Sequence, residues 1–177
     1  MGMKIATDYH KAICRQMLEL AKGKVLFIGQ QVLSEDFYDT LTEIPLHMRR
    51  EMPVAEELQM GMSIGLSLEG ITPISIYQRM DFLPRAMDQI VNHLNLISKM
   101  SRNIFNPKVI VRTTVGTTKP LDCGLQHSKD LTHMMRESVN FHVMPVKTVD
   151  EVNYAYHLAK TRQESICIIE YQELYYQ

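Results

Sequence analysis

The sequence predicts an α/β protein with an open, mostly parallel sheet and helices on both faces of that sheet. Along the 177 residues, short apolar runs alternate with segments of helical periodicity. The apolar runs are continuous rather than alternating with polar residues, as expected when helices cover both faces of a sheet. The length suits one domain, and the chain shows no internal repeat, low-complexity tract or linker.

Five strands are predicted where apolar runs are bounded by glycine, proline or polar residues, at residues 24–29, 71–77, 108–114, 140–146 and 165–171. The predicted helices cover residues 9–20, 83–100, 128–137 and 148 to about 160. Thr148 and Glu151 have the spacing of a capping box at the start of the last helix. Residues 34–42 are polar and aromatic, which indicates a short helix or a loop.

The segment 56–70 can be interpreted either as a strand or as a helix. From Leu58 to Leu68 every second residue is large and apolar, which is the pattern of a strand. A helix is favoured, because a strand of about 13 residues would be long and because the composition is poor in β-branched residues. A helix here also supplies the crossover that parallel strands require. Apolar residues then lie all around it, so we expect it to be buried, with Gly61 and Gly65 allowing close approach of another backbone.

Composition and motifs exclude several classes of function. The net charge of -1 does not favour a nucleic-acid or membrane-surface partner. No apolar run approaches the roughly 20 residues of a membrane span. Cys14, Cys123 and Cys167 are far apart, which indicates reduced thiols and a cytoplasmic protein. The sequence lacks a P-loop, a GxGxxG fingerprint, a GxSxG elbow and an HExxH motif, so no metal site is expected.

Five segments occur in an informative order: LFIGQQV, MPVAEELQMGMSIGLSLEGITPI, MDFLPRAMDQIVNH, LQHSK and ICIIEYQELY. Together they resemble the N-terminal pyrimidine-binding domain of the beta subunit of 2-oxoacid (pyruvate) dehydrogenase decarboxylase components. These proteins belong to the transketolase-like thiamine diphosphate enzymes. The resemblance covers essentially residues 1–177 and implies a single transketolase-like pyrimidine-binding domain with an α/β sheet. It also implies thiamine diphosphate as the cofactor.

Glu56 is the first candidate site residue. From the residues alone, Glu56 and Glu57 are carboxylates in the first turn of a helix, where the helix dipole stabilises each by about 0.3–1 kcal/mol. The resemblance implies a further role, because Glu56 matches the family glutamate that hydrogen-bonds the ring nitrogen of the cofactor's aminopyrimidine. Glu56 would then act as the acid/base that activates the cofactor. Glu57 is expected to be exposed.

Phe82 and His127 are the other candidates. By the resemblance, Phe82 matches the aromatic residue that packs on the pyrimidine ring, and the alternative is that Phe82 is an ordinary core residue. His127 matches the histidine that faces the reacting centre, where it would stabilise a charged intermediate or steer a substrate carboxylate. The alternative for His127 is a polar loop residue. Asp88 and Gln89 match a pair expected to be structural or at a subunit interface.

The sequence departs from the family pattern at several positions. Gln30 stands where the family often has a glutamate, so a charge that takes part in proton traffic is missing. Arg79 and Met80 replace apolar or aromatic residues, which favours a substrate other than simple pyruvate. Lys119 precedes His127 and is either a contact for an anionic substrate or a solvated lysine.

The resemblance also defines what residues 1–177 do not contain. They lack the diphosphate-binding domain, whose GDG…N pattern binds Mg²⁺, and the C-terminal transketolase domain. We therefore expect one subunit of a split enzyme, with the diphosphate and Mg²⁺ held by an alpha-type partner in a heterotetramer that contains two copies of each chain. The expected substrate is a 2-oxoacid or a ketose, and the reaction is a decarboxylation, as in an oxidoreductase complex, or a two-carbon transfer. A non-catalytic regulatory or scaffold subunit is the alternative.

Overall fold

The computed structural model describes residues 5–118 and 124–177 and contains one six-stranded sheet in which every pairing is parallel. The strands are β1 (Val25–Gly29), β2 (Arg49–Glu51), β3 (Thr72–Tyr77), β4 (Ile110–Val115), β5 (His142–Pro145) and β6 (Ile166–Tyr171). Their spatial order is β2-β1-β3-β4-β6-β5. In this register Phe27 lies opposite Ile74, and Ile110 lies opposite Ile166.

Helices cover both faces of the sheet, so the predicted α/β architecture is confirmed. The α-helices are α1 (Asp8–Ala21), α2 (Glu56–Leu68), α3 (Ile97–Met100), α4 (Thr132–Ser138) and α5 (Val149–Thr161). On one face, α1 and α5 pack together over a core that includes Ile13, Phe27 and Val152. The other face is covered by α2 and the segment after β3, over a core that includes Met60 and Ile169.

All five predicted strands are present, but the three-residue strand β2 was not predicted. Its sequence, RRE, has no apolar run because β2 is a short edge strand that buries polar groups. Arg49 is buried and donates a hydrogen bond to the carbonyl oxygen of Ile44 at 2.8 Å. Glu51 accepts hydrogen bonds from the backbone N–H groups of Gln31 at 2.5 Å and Leu33 at 2.8 Å.

The helix predicted over residues 83–100 is wrong as a single element. The chain forms a 3-10 segment (Met80–Ala86), a π-helix (Gln89–Leu94) and the short helix α3. Pro84 lies inside the 3-10 segment and has no N–H to donate, which disfavours a regular α-helix there. Residues 34–42 form turns rather than a helix, with positive φ at four consecutive residues from 36 to 39.

Helices α5 and α4 begin close to their predicted starts. The capping box at Thr148 is present, with the Thr148 hydroxyl accepting a hydrogen bond from the Glu151 N–H and the Glu151 carboxylate accepting one from the Thr148 N–H. Helix α4 begins at Thr132, four residues after the predicted start. Among the described residues, no helix is long and apolar enough to cross a membrane.

Candidate functional site

The candidate residues follow the carboxyl ends of four neighbouring strands. Gln30 directly follows β1, Glu56 follows β2, Phe82 follows β3, and His127 follows β4. The strand order β2-β1-β3-β4 brings these four chain segments to one edge of the sheet. After β1 the chain adds β2 on one side of β1 and then β3 on the other side, so the strand order changes direction between β1 and β3. Ligands of open α/β sheets bind at such switch points. This edge is therefore the candidate site.

Glu56 is the first residue of α2, and its side chain is only 3% exposed. Arg85 Nε donates a hydrogen bond to Glu56 Oε2 at 2.9 Å. Gln30 Nε2 donates a longer hydrogen bond to Glu56 Oε1 at 3.4 Å. Both carboxylate oxygens thus have donors from other parts of the chain, and the positive end of the helix dipole lies at the same place.

A buried polar network holds α2 against the sheet. Gln59 Nε2 donates hydrogen bonds to Ser75 Oγ at 3.1 Å and to the carbonyl oxygen of Ile76 at 2.8 Å. Ser63 Oγ also lies 3.1 Å from Ser75 Oγ, within hydrogen-bond distance. The Tyr77 hydroxyl donates to the backbone carbonyl of Glu56 at 3.4 Å. These contacts fix the position and rotation of α2, and therefore the direction in which Glu56 projects.

The expectation that α2 is buried all around is wrong for the described chain. The helix faces the core with Met60 and Ile64 and with the polar residues Gln59 and Ser63, so its remaining apolar surface faces outward. Leu58 is 52% exposed and Met62 is 41% exposed. Gly61 lies near the side chain of Gln89, at 3.6 Å from the position of an added Cβ. At Gly65 no described atom lies within 4 Å of that position, so the close approach predicted for this glycine does not occur within the described chain.

An open hollow of about 840 Å³ lies beside the Glu56 carboxylate. Its lining joins the start of α2 to the end of the 3-10 segment and comprises Val54, Ala55, Glu56, Glu57, Leu58, Gly61, Met62, Arg85 and Gln89. The lining combines an apolar surface with the buried carboxylate of Glu56, the exposed carboxylate of Glu57 and the exposed guanidinium of Arg85. Such a mixture suits a ligand that is largely apolar and carries a few hydrogen-bonding groups.

Phe82 and His127 are in contact. Their ring centroids are 5.7 Å apart and their planes are inclined by 73°, which is an edge-to-face arrangement. Gly116, just after β4, lies against the backbone of His127, and a Cβ on Gly116 would overlap the His127 carbonyl oxygen. His127 is half-buried, and its backbone N–H donates a hydrogen bond to the carbonyl oxygen of Gly124 at 3.1 Å.

The 3-10 segment Met80–Ala86 connects the two parts of the site. Phe82, near its start, contacts His127, whereas Arg85, near its end, contacts Glu56. Phe82 also lines a second hollow of about 470 Å³ together with Gln126 and Lys129. The structure therefore brings together Phe82 with His127 and Glu56 with Arg85, at two ends of one short segment.

The remaining sequence-based expectations have mixed outcomes. Glu57 is exposed, as predicted. Asp88 is exposed and accepts a hydrogen bond from Asn92 Nδ2 at 2.7 Å, while Gln89 faces the hollow beside Glu56. Lys119 and Cys123 lie outside the described residues.

Sequence reasoning missed Arg85 and the network around Gln59. An arginine three residues after an aromatic residue carries no signal of its own, and only the fold places it beside Glu56. Within residues 5–118 and 124–177, no group of three or more histidine, cysteine, aspartate or glutamate side chains is arranged to hold a metal ion.

The chain is similar to known proteins in sequence and in fold. No protein-family model matches the chain. The chain is 27% identical over 125 residues to a pyruvate dehydrogenase E1 component subunit beta of Cyanidium caldarium, covering 71% of this chain and 38% of that protein. It is 31% identical over 116 residues to the same subunit of Staurastrum punctulatum, covering 61% of this chain and 34% of that protein.

The fold also matches a solved structure described as a split gene transketolase, an inactive beta4 tetramer. The TM-score is 0.67 at 20% identity, and the match covers 93% of this chain and 50% of that chain. In every one of these comparisons the matched region is at most half of the other protein's length. The chain is a distant homologue of pyruvate dehydrogenase E1 beta subunits and has the α/β fold of the split-gene transketolase chain.

Proposed function

We propose that this chain is the pyrimidine-binding subunit of a split thiamine diphosphate enzyme. Residues 1–177 would form a transketolase-like pyrimidine-binding domain, and the reaction would be the decarboxylation of a 2-oxoacid or a two-carbon transfer from a ketose. One observation carries the proposal: the buried carboxylate of Glu56 lies at the head of α2, beside an open hollow at the carboxyl edge of a parallel sheet. The distant homology to pyruvate dehydrogenase E1 beta subunits supports the same assignment.

The residues at this edge fit the pyrimidine half of the cofactor. A flat heteroaromatic ring requires a hydrogen-bonding group in its plane and an apolar or aromatic surface against its face. Glu56 offers the first, and Phe82, which is only partly buried, offers the second. When bound, thiamine diphosphate supplies the nucleophilic carbon that adds to substrate carbonyl groups.

The task of Glu56 is to hold and move one proton at a carboxylate oxygen. Its burial excludes bulk water from the carboxylate, and the network of Gln59 and Tyr77 holds the backbone from which it projects. A positioned carboxyl group of this kind contributes about 10²–10⁴-fold to a rate as a general acid or base. His127 would orient the substrate or stabilise developing negative charge, because its ring is held against Phe82 at the same edge of the sheet.

The diphosphate and its Mg²⁺ would be held by an alpha-type partner subunit. The outward apolar side chains of Val54, Leu58 and Met62 give α2 a surface that suits such contact, since they surround the hollow beside Glu56. A partner seated there would also close the hollow. We propose a heterotetramer with two copies of each chain.

A non-catalytic regulatory or scaffold subunit is the second candidate. The ion pair between Glu56 and Arg85 favours it, because this contact engages the carboxylate that the chemistry would require. The two candidates differ in whether the assembled protein binds the cofactor.

Calorimetric titration with thiamine diphosphate and Mg²⁺ tests the proposal. The titration is made on this chain alone and on the chain co-expressed with its diphosphate-binding partner. We expect binding in the mixture and none with the chain alone. We expect Glu56→Gln to abolish turnover of the assembled enzyme with little loss of stability, because it keeps the shape of the side chain and removes the proton. Glu69→Gln, which changes an exposed glutamate at the far end of α2, is the matched control. A stable complex that binds no cofactor would favour the scaffold candidate.

A further inference from the structure

Arg85 is the one charged group that contacts the Glu56 carboxylate in the described chain, and the candidate mechanism gives it no role. We propose that Arg85 is a displaceable counter-ion: it holds Glu56 Oε2 while the site is free and gives up that position when a ligand binds. The inference rests on the proposed function, in which Glu56 hydrogen-bonds the pyrimidine ring of the cofactor. It assigns Arg85 as a positioning residue that sets ligand affinity through Glu56.

The exposure of the two partners differs greatly. The Glu56 side chain is 3% exposed, whereas the Arg85 side chain is 66% exposed. A carboxylate removed from water requires a partner for its charge, because an unpaired buried charge is costly. Arg85 meets that requirement in the free chain. A guanidinium that already lies mostly in water loses little when it turns outward, so the pair can separate by movement of Arg85 alone.

The direction of approach makes Arg85 a competitor. Arg85 and Glu56 line the same open hollow, together with the apolar side chains of Leu58 and Met62. A ligand that enters this hollow and hydrogen-bonds the carboxylate reaches the region that the Arg85 guanidinium fills. Within the described residues, the other carboxylate oxygen, Oε1, has only the neutral amide of Gln30 as a hydrogen-bond donor, at 3.4 Å. Ligand binding therefore replaces Arg85, the charged hydrogen-bond donor to Glu56 Oε2, with a hydrogen-bond donor of the ligand.

The local backbone allows this exchange without loss of the aromatic contact. Arg85 lies three residues after Phe82 in the same 3-10 segment, and Pro84 between them restricts the backbone. Leu83 and Ala86 of this segment are buried in the core and anchor it. The Arg85 side chain can rotate while Phe82 stays against His127.

The test measures the dissociation constant of thiamine diphosphate with Mg²⁺, by calorimetry, for the complex of this chain with its diphosphate-binding partner. Arg85→Gln removes the competing charge and keeps a side chain of similar length. We expect it to bind the cofactor about three- to ten-fold more tightly, the change that corresponds to release of one ion pair. Arg85→Lys keeps the charge and should remain near the wild-type value. Arg15→Gln, an exposed arginine of α1 on the opposite face of the sheet, is the matched control.

A second readout does not depend on the ligand. In the free chain, the ion pair stabilises the fold, so Arg85→Gln should lower the denaturant midpoint, and this loss should disappear when Glu56→Gln is already present. A residue with a general structural role would destabilise both backgrounds equally. This double-mutant cycle isolates the coupling between the two side chains.

The outcomes separate this inference from the proposed function. Weaker or unchanged cofactor binding by Arg85→Gln, with wild-type binding intact and Glu56→Gln inactive, would overturn the counter-ion role and leave the proposed function standing. Equal lowering of the midpoint in both backgrounds would also overturn it. If the wild-type complex binds no cofactor, or if Glu56→Gln turns over as fast as wild type, the proposed function fails and this inference falls with it.

Discussion

Gly116 and the backbone of His127 are in such close contact that a single methyl group on Gly116 would overlap the His127 carbonyl oxygen. The contact fixes the loop that carries His127 to the end of β4. We expect Gly116→Ala to displace this loop, because the added methyl group overlaps a backbone atom and not the end of a flexible side chain. Turnover of the assembled enzyme should then fall at least about ten-fold. Steady-state kinetics and circular dichroism of the same samples provide the measurement.

The matched control for this prediction is Gly23→Ala. An added Cβ at Gly23 has its nearest contact at 3.4 Å, which is ordinary van der Waals distance. Wild-type kinetics for Gly116→Ala would show that the position of the His127 loop does not matter to the reaction.

His127→Ala should impair chemistry more than cofactor binding. The His127 ring contacts Phe82 but belongs to a loop separate from α2, so its loss leaves the Glu56 environment in place. We expect turnover to fall about 100-fold, the size of effect seen when one group that stabilises developing charge is removed. Calorimetry and kinetics on the assembled enzyme measure the two effects separately.

His133→Ala is the control for that variant, because His133 lies on α4 with its side chain 90% exposed. A His127 variant that loses only cofactor affinity and keeps its turnover at saturation would show that the assigned role is wrong.

Glu170→Gln should destabilise the fold strongly. Arg112 and Glu170 form a bidentate ion pair, with two nitrogen–oxygen distances of 2.9 Å, and both side chains are completely buried. The hydroxyls of Tyr156 and Tyr175 also donate to the Glu170 carboxylate. Removal of one charge leaves the other buried and unpaired, which costs about 3–5 kcal/mol of the free energy of unfolding. Urea denaturation measures this loss.

Two variants give the comparison. Arg112→Met combined with Glu170→Gln removes both charges and keeps an amide oxygen as acceptor for the two tyrosine hydroxyls, so it should recover part of the stability that Glu170→Gln alone loses. Glu19→Gln, at an exposed ion pair with Lys160, should leave the denaturant midpoint almost unchanged. A Glu170→Gln protein as stable as wild type would show that the buried pair contributes nothing to the fold.

Cys167→Val should reduce the loss of stability at alkaline pH. Burial raises the pKa of the Cys167 thiol from its ordinary value of 9.0 to about 12. Between pH 9 and pH 12 the unfolded chain has released this proton and the folded chain still holds it, so stability falls as pH rises through that window. Valine has no proton to release. The slope of the free energy of unfolding against pH should therefore be flatter by the amount that corresponds to one proton.

Urea midpoints of the wild-type and Cys167→Val proteins, measured at several pH values between 8 and 11, test this difference. The tyrosine side chains contribute equally to both proteins, so the difference between the slopes reports on residue 167 alone. Identical slopes would contradict a protonated, buried thiol.

Several features of the fold could be predicted because each depends on residues close together in the chain. Continuous apolar runs marked five of the six strands, and Thr148 with Glu151 marked the start of α5. Strand β2 had no such signal, because Arg49 and Glu51 stabilise it through hydrogen bonds rather than through apolar burial. Pro84 was visible in the sequence, but the combination of 3-10, π and α turns that follows it depends on packing against the sheet.

From the amino-acid sequence we could infer the sheet class, the order of most elements and the resemblance that singles out Glu56, Phe82 and His127, because periodicity and motifs are local properties. The packing of the fold, in contrast, sets which face of α2 lies on the sheet and which side chains meet at its head. Glu56 and Arg85 are 29 residues apart and lie on different elements, so their contact depends on how α2 is rotated and where the 3-10 segment crosses it. A one-dimensional pattern records that a residue is buried or exposed, whereas a partner is chosen by the three-dimensional packing of distant segments.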